Sequence, residues 1–573
     1  MLMILVNWLY IAFSTYLVGY ALLGLFTRFF KYKIERQISY IFAGLLATTV
    51  YAQFYSLFDG VGLLSNIVLM VFCGYVVVVK KDALKEEMCR FPISRIELLI
   101  VLVLAVLFAY GTSRGYMHFD TGLYHAQSIR WIEEYGVVPG LANLQSRYAY
   151  NSAAFSFTAL YSMKWLFGQS LHATAGFFAF ISAILALDIK TLFARKETSL
   201  SNIVRLGLIF YLGVIFGEMM SPASDYYAQL LIFDILILWL EQDEKQKKEW
   251  QCVNVVPYCL LCILLVYAVT IKFSVGLLLL MVIKPAMILI KRKEVKQIGI
   301  CLLSGLLTAL PFFIRNVIIS GWMIYPSTMI DLFSVDWKLP KGQADLDALE
   351  IGAYGKGLND VAKWDTPFSE WCPLWFSGLK TLEKIFVLGT LMAILILLVM
   401  IVIFCVNGIK NKLIKQCESE NNVSRKNFVL VSVVFAVAAG FWFVSAPLVR
   451  YGYSYVITMP LLVFGYLLIQ CMASDKKIEN VLTRGFQIVV ILFLLSRIPG
   501  LYEDIIKTYT QPYYFAQRDY DVHEATTVEI DGITFYVPLQ QGQIGYDKFP
   551  SSLFVYPVEL RGDGLKDGFR QIQ

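Results

Sequence analysis

The chain has 573 residues, of which 58% are hydrophobic and only 16% are charged, and its mean hydropathy is +0.62. Soluble proteins contain about a quarter charged residues, so this composition excludes an ordinary soluble protein and indicates one that crosses a membrane many times. The net charge of +6 comes from basic residues in short connections between apolar segments. Such residues set membrane orientation, and nucleic acid is therefore not an expected partner.

The ten cysteines do not form the pattern of a disulfide framework or of a metal site. Most lie inside apolar segments or in basic connections, and Cys259 and Cys262 are best interpreted as small apolar residues of a membrane span. Only Cys372 lies in a long loop on the side opposite the basic connections. We therefore predict no cofactor from the cysteines.

Apolar segments of roughly 20 residues, the length that crosses a bilayer as a helix, follow one another along most of the chain. The sequence predicts an all-α polytopic membrane protein with about fourteen transmembrane helices. They lie near residues 3–27, 38–58, 61–79, 96–113, 171–193, 202–217, 226–240, 253–271, 273–290, 298–314, 384–406, 427–446, 453–471 and 485–498.

Short connections with several lysines or arginines each alternate with the predicted spans. They lie at residues 28–36, 80–95, 195–205, 245–248, 291–296, 410–426 and 476–484. By the positive-inside rule these connections are cytoplasmic. Both termini and the remaining connections are then outside, and the two longest outer loops are 114–170 and 315–383.

The loop at residues 114–170 is a polar stretch between long apolar segments. Between residues 116 and 155 it contains His118, Asp120, His125, Arg130, Glu133, Glu134 and Arg147. The pattern over residues 121–135 predicts an amphipathic helix, which Gly136 and Pro139 end. Residues 151–167 predict a second, apolar helix with Asn151 as its N-cap. We expect both helices to lie along the outer membrane surface and the polar residues to bind a ligand or catalyse a reaction.

The loop 315–383 and the segment after about residue 499 differ from the spans. The loop is rich in aromatic residues, which predicts either a sugar-stacking surface or an aromatic belt with a small lid that packs on itself. The aromatic residues are Trp322, Tyr325, Trp337, Tyr354, Trp364, Phe368, Trp371 and Trp375. Strand-like runs at 527–530, 534–537 and 553–558 predict a small outer appendage. We divide the chain into a transmembrane domain, 1–498, and this appendage, 499–573.

Asp120 is the main candidate for a catalytic group. It immediately precedes a predicted helix, where an aspartate ordinarily accepts backbone N–H bonds as the N-cap. Its position directly after a predicted span would also hold the carboxylate near the outer surface, where a lipid-linked substrate presents its headgroup. A carboxylate held there can act as a general base toward a sugar hydroxyl. The residues alone leave both interpretations open.

The run His118-Phe119-Asp120-Thr121-Gly122-Leu123-Tyr124-His125 and its continuation to Ser152 resemble a family of largely uncharacterised bacterial multi-pass membrane proteins. That family is in turn similar to the GT-C superfamily of glycosyltransferases, which take sugars from polyprenyl-phosphate donors. The stretches at residues 311–326 and 446–452 carry the same resemblance, and the tail segment 556–562 resembles the bacterial family alone.

The resemblance implies a GT-C-like bundle with outer juxtamembrane helices in a bacterial cytoplasmic membrane. Its active site would face the periplasm or cell exterior, its catalytic aspartate would be Asp120, and its partners would be a polyprenyl-phosphate-linked sugar, a glycan or lipid acceptor and membrane lipids. Two departures are visible. Many GT-C proteins have two adjacent acids, whereas Thr121 follows Asp120, and three additional predicted spans precede this loop.

A polyprenyl phosphate that leaves in such a reaction needs cationic donors on the outer side. Lys272, Arg315 and Arg450 each lie at a predicted outer span end, although anchors that snorkel to the interface lie at such positions too. Asp225 is the candidate for a second acid, with Glu218 beside it. The remaining predicted substrate-binding residues are His118, Tyr124, His125, Arg130 and Asn316. The histidines are predicted to be hydrogen-bonding partners of the carboxylate or substrate rather than metal ligands, so no metal is expected.

Two other functions fit parts of the sequence. A polysaccharide polymerase or ligase of the O-antigen type would share the aromatic loop and would use arginines to bind two lipid pyrophosphates. A transporter or flippase of lipid-linked sugars would need ionisable residues at mid-span depth. The spans contain few of these, namely Asp188 and Lys190 near an inner end and Asp234.

The topology can be tested by cysteine labelling. Labels at Gly342 and Gly532 are expected to react from the outside, and labels at Lys247 and Asn421 only from the cytoplasm, because the basic connections remain inside. Accessibility of residue 342 from the cytoplasm alone would contradict the predicted orientation.

Overall fold

The computed structural model describes residues 1–188, 199–246, 253–410, 424–472, 476–508, 512–553 and 557–572. This part of the chain is mostly helical. In chain order its helices are α1 Leu2–Phe30, α2 Ile38–Tyr55, α3 Leu63–Val79, α4 Lys81–Arg90, α5 Arg95–Arg114, α6 Ala126–Tyr135, α7 Ala153–Leu160, α8 Lys164–Phe167, α9 Thr174–Ala186, α10 Leu200–Ile215, α11 Ser224–Lys245, α12 Val256–Ile271, α13 Ile283–Lys291, α14 Val295–Ser320, α15 Lys341–Gly355, α16 Phe368–Gly378, α17 Thr381–Lys410, α18 Arg425–Ser445, α19 Val449–Met472 and α20 Lys476–Thr508.

Within the described ranges, eight helices are long and apolar enough to cross a membrane. They are α1, α2, α5, α14, α17, α18, α19 and the continuous segment Phe273–Lys291, which enters α13 through a 3₁₀ helix. A ninth span is the pair α3 and α4, if the 82° bend between them is allowed.

The number of helices that qualify as spans by length and apolarity alone is therefore smaller than the predicted count of about fourteen transmembrane helices. Helices α9, α10 and α12 are apolar but short. The 13 residues of α9 extend about 20 Å, whereas the hydrocarbon core is about 30 Å thick. Three of the predicted inner connections pass through residues 189–198, 247–252 and 411–423, so the predictions for Lys190, Lys247 and Asn421 lie outside the described residues.

The loop at residues 114–170, which we call the first loop, contains one helix where it was predicted and one that differs. A π-helical turn, Thr121–His125, continues into α6, and Gly136 ends α6 with φ +75°. The predicted surface helix over residues 151–167 is wrong, because Met163 has φ +50° and interrupts it. Its first part, α7, is buried at all eight residues, and its cap is Ser152 instead of Asn151. This segment therefore belongs to the interior of the bundle.

A second hydrophobic core, distinct from that of the bundle, joins the first loop, the segment after α14 and the C-terminal tail. Its buried members include Trp131, Val138, Leu141, Tyr148, Trp322, Leu339, Phe535, Leu560 and Phe569. The three segments come from far apart in the sequence, so this core forms only when the whole chain is folded. The tail is thus packed onto the first loop and is not a free appendage.

The tail contains two antiparallel β hairpins. The first pairs β1, Ala525–Ile530, with β2, Ile533–Pro538, through an Asp531-Gly532 turn in which both residues have positive φ, a favoured hairpin connection. The second pairs β3, Val558–Leu560, with β4, Phe569–Gln571. The predicted strands at 527–530 and 534–537 lie within β1 and β2. Residues 554–556 of the third predicted strand lie outside the described residues.

The aromatic loop is shorter than predicted, since α14 continues to Ser320 and includes Arg315. Trp322, Trp371 and Trp375 are buried. The indole N–H of Trp322 donates to Leu339 O at 2.9 Å, and that of Trp375 donates to Pro447 O at 2.8 Å. These contacts favour the interpretation of a segment that packs on the protein over that of an open stacking surface.

A substitution of Gln127 can test how the tail is attached to the first loop. Its buried side-chain amide donates to Gly545 O at 2.9 Å and to Lys548 O at 3.0 Å. Gln127→Leu would leave these carbonyls without their donor, at a cost of about 1–3 kcal/mol. We expect a lower thermal unfolding midpoint in detergent and faster proteolysis of the tail. Gln540→Leu, at an exposed position of the same tail, is the control, and equal behaviour of the two variants would contradict this role.

Candidate functional site

Asp120 does not act as a helix cap. It has helical backbone angles, φ −63° and ψ −17°, and its side chain makes no capping hydrogen bond. Instead, Asp120 Oδ2 accepts a hydrogen bond from Arg450 Nη2 at 2.9 Å. The side chains are 24% and 18% exposed, respectively. The capping interpretation is therefore wrong, and the carboxylate is partly open to solvent.

Asp120 and Arg450 are the first two of four charged residues that contact one another in a row and alternate in sign. We call Asp120, Arg450, Asp225 and Lys272 the charge chain. Arg450 Nε lies 3.3 Å from Asp225 Oδ2. The other oxygen of Asp225 accepts a hydrogen bond from Lys272 Nζ. The four residues come from the first loop and from the adjoining ends of α11, α12 and α19. Residues that were predicted separately from span ends thus form one continuous network.

Helix polarity explains part of this arrangement. Asp225 lies in the first turn of α11 and Lys272 directly follows α12, where negative and positive charges, respectively, are favourable. Arg450 lies in the first turn of α19, where a positive charge is unfavourable. Its guanidinium is therefore stabilised by the two carboxylates on either side of it.

His118 is held as a neutral acceptor. Its Nδ1 accepts hydrogen bonds from Arg450 Nη1 at 3.0 Å and from the backbone N–H of Asp120 at 3.1 Å. A ring nitrogen that accepts from two donors carries no proton, so the proton is on Nε2. Burial and the neighbouring guanidinium both lower the pKa of His118, in agreement with this tautomer.

Opposing effects set the ionisation of Asp120. Burial of the carboxyl group would raise its pKa, but the positive charge of Arg450 and the hydrogen bond that Arg450 donates oppose burial, and the pKa is below its ordinary value. The group is therefore a stabilised carboxylate in this arrangement, and Arg450 is the chief reason.

His125 and Tyr124 form the packed side of the site. The His125 ring is buried, with its centroid 4.4 Å from that of Tyr124 and 5.3 Å from that of Phe155. Thr121 Oγ1 lies 3.3 Å from His125 Nδ1 and also forms a hydrogen bond with the hydroxyl of Ser221. The Ser221 hydroxyl in turn accepts a hydrogen bond from the backbone N–H of His118. These contacts fix the turn that carries Asp120.

Three residues that were predicted to belong to the site lie outside the charge chain. Arg130 donates to Tyr546 O at 2.8 Å and Asp547 O at 3.0 Å, and so holds the tail. Arg315 is buried and donates to Asn151 Oδ1 at 2.9 Å and to Ser56. Asn316 accepts from the amide of Asn151 at 2.9 Å. Their role in substrate binding stays a prediction, while the contacts they make are those of residues that anchor the first loop.

Tyr451 is a site residue that the sequence interpretation did not single out. Lys272 Nζ lies 3.8 Å from its ring centroid, and Arg450 Nη2 lies 3.4 Å from its hydroxyl. A ring face attracts cations, so Tyr451 helps to position both. The sequence signal that could have identified Tyr451 is its position next to Arg450 in the stretch 446–452.

The charge chain lies within the part of the protein that a family model matches. The protein belongs to the DUF8201 family. The model of this family, described as a domain of unknown function, matches residues 1–457. No curated protein and no solved structure matches the chain. The family match includes all four residues of the charge chain, whereas the tail strands lie beyond it.

Because two histidines are buried, we expect the folded protein to lose stability in mild acid. Burial lowers the pKa of His125 and of His172 from 6.5 to about 3. Below pH 6.5 the unfolded chain therefore binds protons that the folded chain does not. At pH 5 this destabilises the fold by about 2 kcal/mol per histidine relative to pH 8.

The measurement compares thermal unfolding midpoints at pH 8 and pH 5. His125→Gln and His172→Gln are each expected to show a smaller drop between the two pH values than the unsubstituted protein, whatever their midpoints at pH 8. An unchanged drop in both variants would show that these rings do not control the acid sensitivity.

Proposed function

We propose that the protein is a membrane glycosyltransferase that transfers a sugar from a polyprenyl-phosphate donor to a glycan, lipid or cell-wall polymer acceptor, with Asp120 as the general base. The observation that carries this proposal is the Asp120 carboxylate, which caps no helix and is joined to Arg450 at 2.9 Å in a charge chain that also contains Lys272. The run at residues 118–125 resembles a family of bacterial membrane proteins that is in turn similar to GT-C enzymes, and this similarity supplies the reaction class.

The proposal includes a GT-C-like arrangement of about fourteen spans in a bacterial cytoplasmic membrane, with the charge chain on the outer side. A helix occupies each of the fourteen predicted span positions, at least in part, within the described ranges. The basic connection at residues 28–36 lies at the end of α2 opposite the one that contacts the first loop through Ser56 O and Val137 N. The first observation supports the number of spans, and the second supports the orientation through the positive-inside rule.

In the proposed reaction, an acceptor hydroxyl oxygen attacks the anomeric carbon of the donor. The bond between that carbon and the phosphate oxygen breaks, and polyprenyl phosphate leaves with the electron pair. Asp120 takes the hydroxyl proton. Arg450 and Lys272 stabilise the negative charge that develops on the phosphate.

The charges of the site indicate how the donor would change the base. Asp120 and Asp225 balance Arg450 and Lys272, so the charge chain has no net charge and a phosphate must compete with carboxylates for the cations. When the phosphate takes over Arg450, Asp120 loses the chief stabiliser of its charged form. Burial, which raises the pKa of Asp120, is then no longer opposed by that pairing. The carboxylate becomes a stronger base when the donor is bound.

Asp120→Asn tests this proposal. Because Asn has nearly the shape of Asp and the Asp225 carboxylate still faces Arg450, the variant should fold and still bind the donor lipid, but it cannot accept the proton. We expect a loss of roughly 10²-fold or more in turnover. The measurement is release of polyprenyl phosphate from a panel of polyprenyl-phosphate hexoses in membranes that contain the variant.

Glu134→Gln provides a matched control in the same loop. Glu134 is 39% exposed and pairs with Lys164 and Arg130 away from the charge chain, so its variant should retain turnover. Near-normal turnover by Asp120→Asn, with a folded protein, would reject Asp120 as the base. Absence of turnover in the unsubstituted protein with every hexose of the panel would count against this reaction class.

A further inference from the structure

A cavity of about 350 Å³, a volume typical of ligand sites, lies between α1, α2, α11, α12 and α14. It is lined along α2 from Ser39 to Val50, a length of about 16 Å. Its lining includes Tyr32, Ile34, Glu35 and Arg36 of the connection between α1 and α2. This connection is at the end of α2 away from the loop at residues 114–170, and the lining contains no residue of the charge chain, so the two sites are separate.

The wall of the cavity is mainly hydrocarbon. Phe26, Phe42, Leu46, Leu261 and Leu264 are among its lining residues. The hydroxyl of Thr308, also in the wall, donates to Ser304 O of its own helix at 2.8 Å. The wall therefore favours an apolar ligand that makes few hydrogen bonds. Protein interiors are close-packed, so a hydrocarbon chain that fills this space gains contacts and is removed from water.

The end of the cavity beside the connection between α1 and α2 has a different chemistry. The two charged residues of its lining, Glu35 and Arg36, both have ion-pair partners, since Arg36 lies 2.9 Å from Glu241 and Glu35 lies 3.0 Å from Lys245. Along the connection, Tyr32 and Ile34 contribute to the cavity wall, while the alternating Lys31 and Lys33 are exposed. Exposed lysines beside an apolar cavity fit a ligand with a hydrocarbon chain and an anionic head.

We propose that this cavity binds a hydrocarbon chain of an anionic phospholipid, with the phosphate headgroup at Lys31 and Lys33. The 18 residues of α2 extend about 27 Å, nearly the thickness of the hydrocarbon core. The bound lipid therefore belongs to the leaflet opposite Asp120. It packs between α1 and α2 on one side and α12 and α14 on the other, and so joins helices that leave a gap here. This inference does not depend on the proposed transferase activity.

Native mass spectrometry of the purified full-length chain tests the site. The protein is incubated with phosphatidylglycerol or with phosphatidylcholine of the same acyl chains, and the lipid retained per chain is counted. We expect one tightly retained phosphatidylglycerol and a preference on the order of 10-fold over phosphatidylcholine, because each nearby lysine favours an anionic lipid. Ala47→Trp, which fills the cavity from α2, should abolish retention. Leu303→Trp, at a 56% exposed position of α14 outside the cavity lining, should retain the lipid.

A second variant keeps the test decisive if Ala47→Trp does not fold. Lys31→Gln combined with Lys33→Gln changes only exposed side chains and should remove the preference for phosphatidylglycerol while an acyl chain still binds. Equal retention of both phospholipids by the unsubstituted protein would overturn the proposal. Retention of a fatty acid or a polyisoprenoid in place of a phospholipid would also overturn it, as would a folded Ala47→Trp variant that retains phosphatidylglycerol normally.

Discussion

The position of Arg450 in the first turn of α19 is the constraint on which the site depends. A guanidinium that is mostly buried and faces the positive end of its own helix needs carboxylates. It obtains them from two separate parts of the chain, Asp120 of the first loop and Asp225 of α11. Asp225 in turn binds Lys272 after α12. One unfavourable charge thus brings a loop and three helix ends together, and the residues that stabilise this end of the bundle are also those available for chemistry.

The position of Asp120 also depends on the tail, although the tail lies outside the region that defines the family. Gly122, two residues after Asp120, lies so close to the tail that an added Cβ would be 2.2 Å from Gln543 Oε1. The carbonyl of Gly122 accepts the N–H groups of Ile544 and Gly545 at 2.9 and 3.0 Å. The turn is therefore held between the bundle and the tail, which limits the directions in which the carboxylate can move.

The sequence predicted the helix positions and the helix ends that carry charge, because long apolar segments and basic connections determine both. It could not predict which charges meet. Arg315 and Arg450 satisfied the same criterion of lying at an outer span end, yet Arg315 points toward Ser56 and Asn151. Helices that are apolar on all faces offer no polar stripe from which their rotation can be inferred. The burial of α7 was missed for a related reason, since an apolar segment shorter than a span is compatible with both a surface and an interior position.

The ion pairs at the opposite end of the bundle differ from the Asp120–Arg450 pair in their exposure. There, Arg205 pairs with Glu241 and Lys284 pairs with Asp243, and all four side chains are at most 1% exposed. To separate such pairs is costly, about 3–5 kcal/mol when one partner is lost, and solvent or a ligand cannot readily replace the missing charge. The Asp120–Arg450 pair is about a fifth exposed, so an incoming anion can take the place of the carboxylate without leaving the guanidinium unpaired. The buried pairs fasten the helices, whereas the exposed pair can exchange partners.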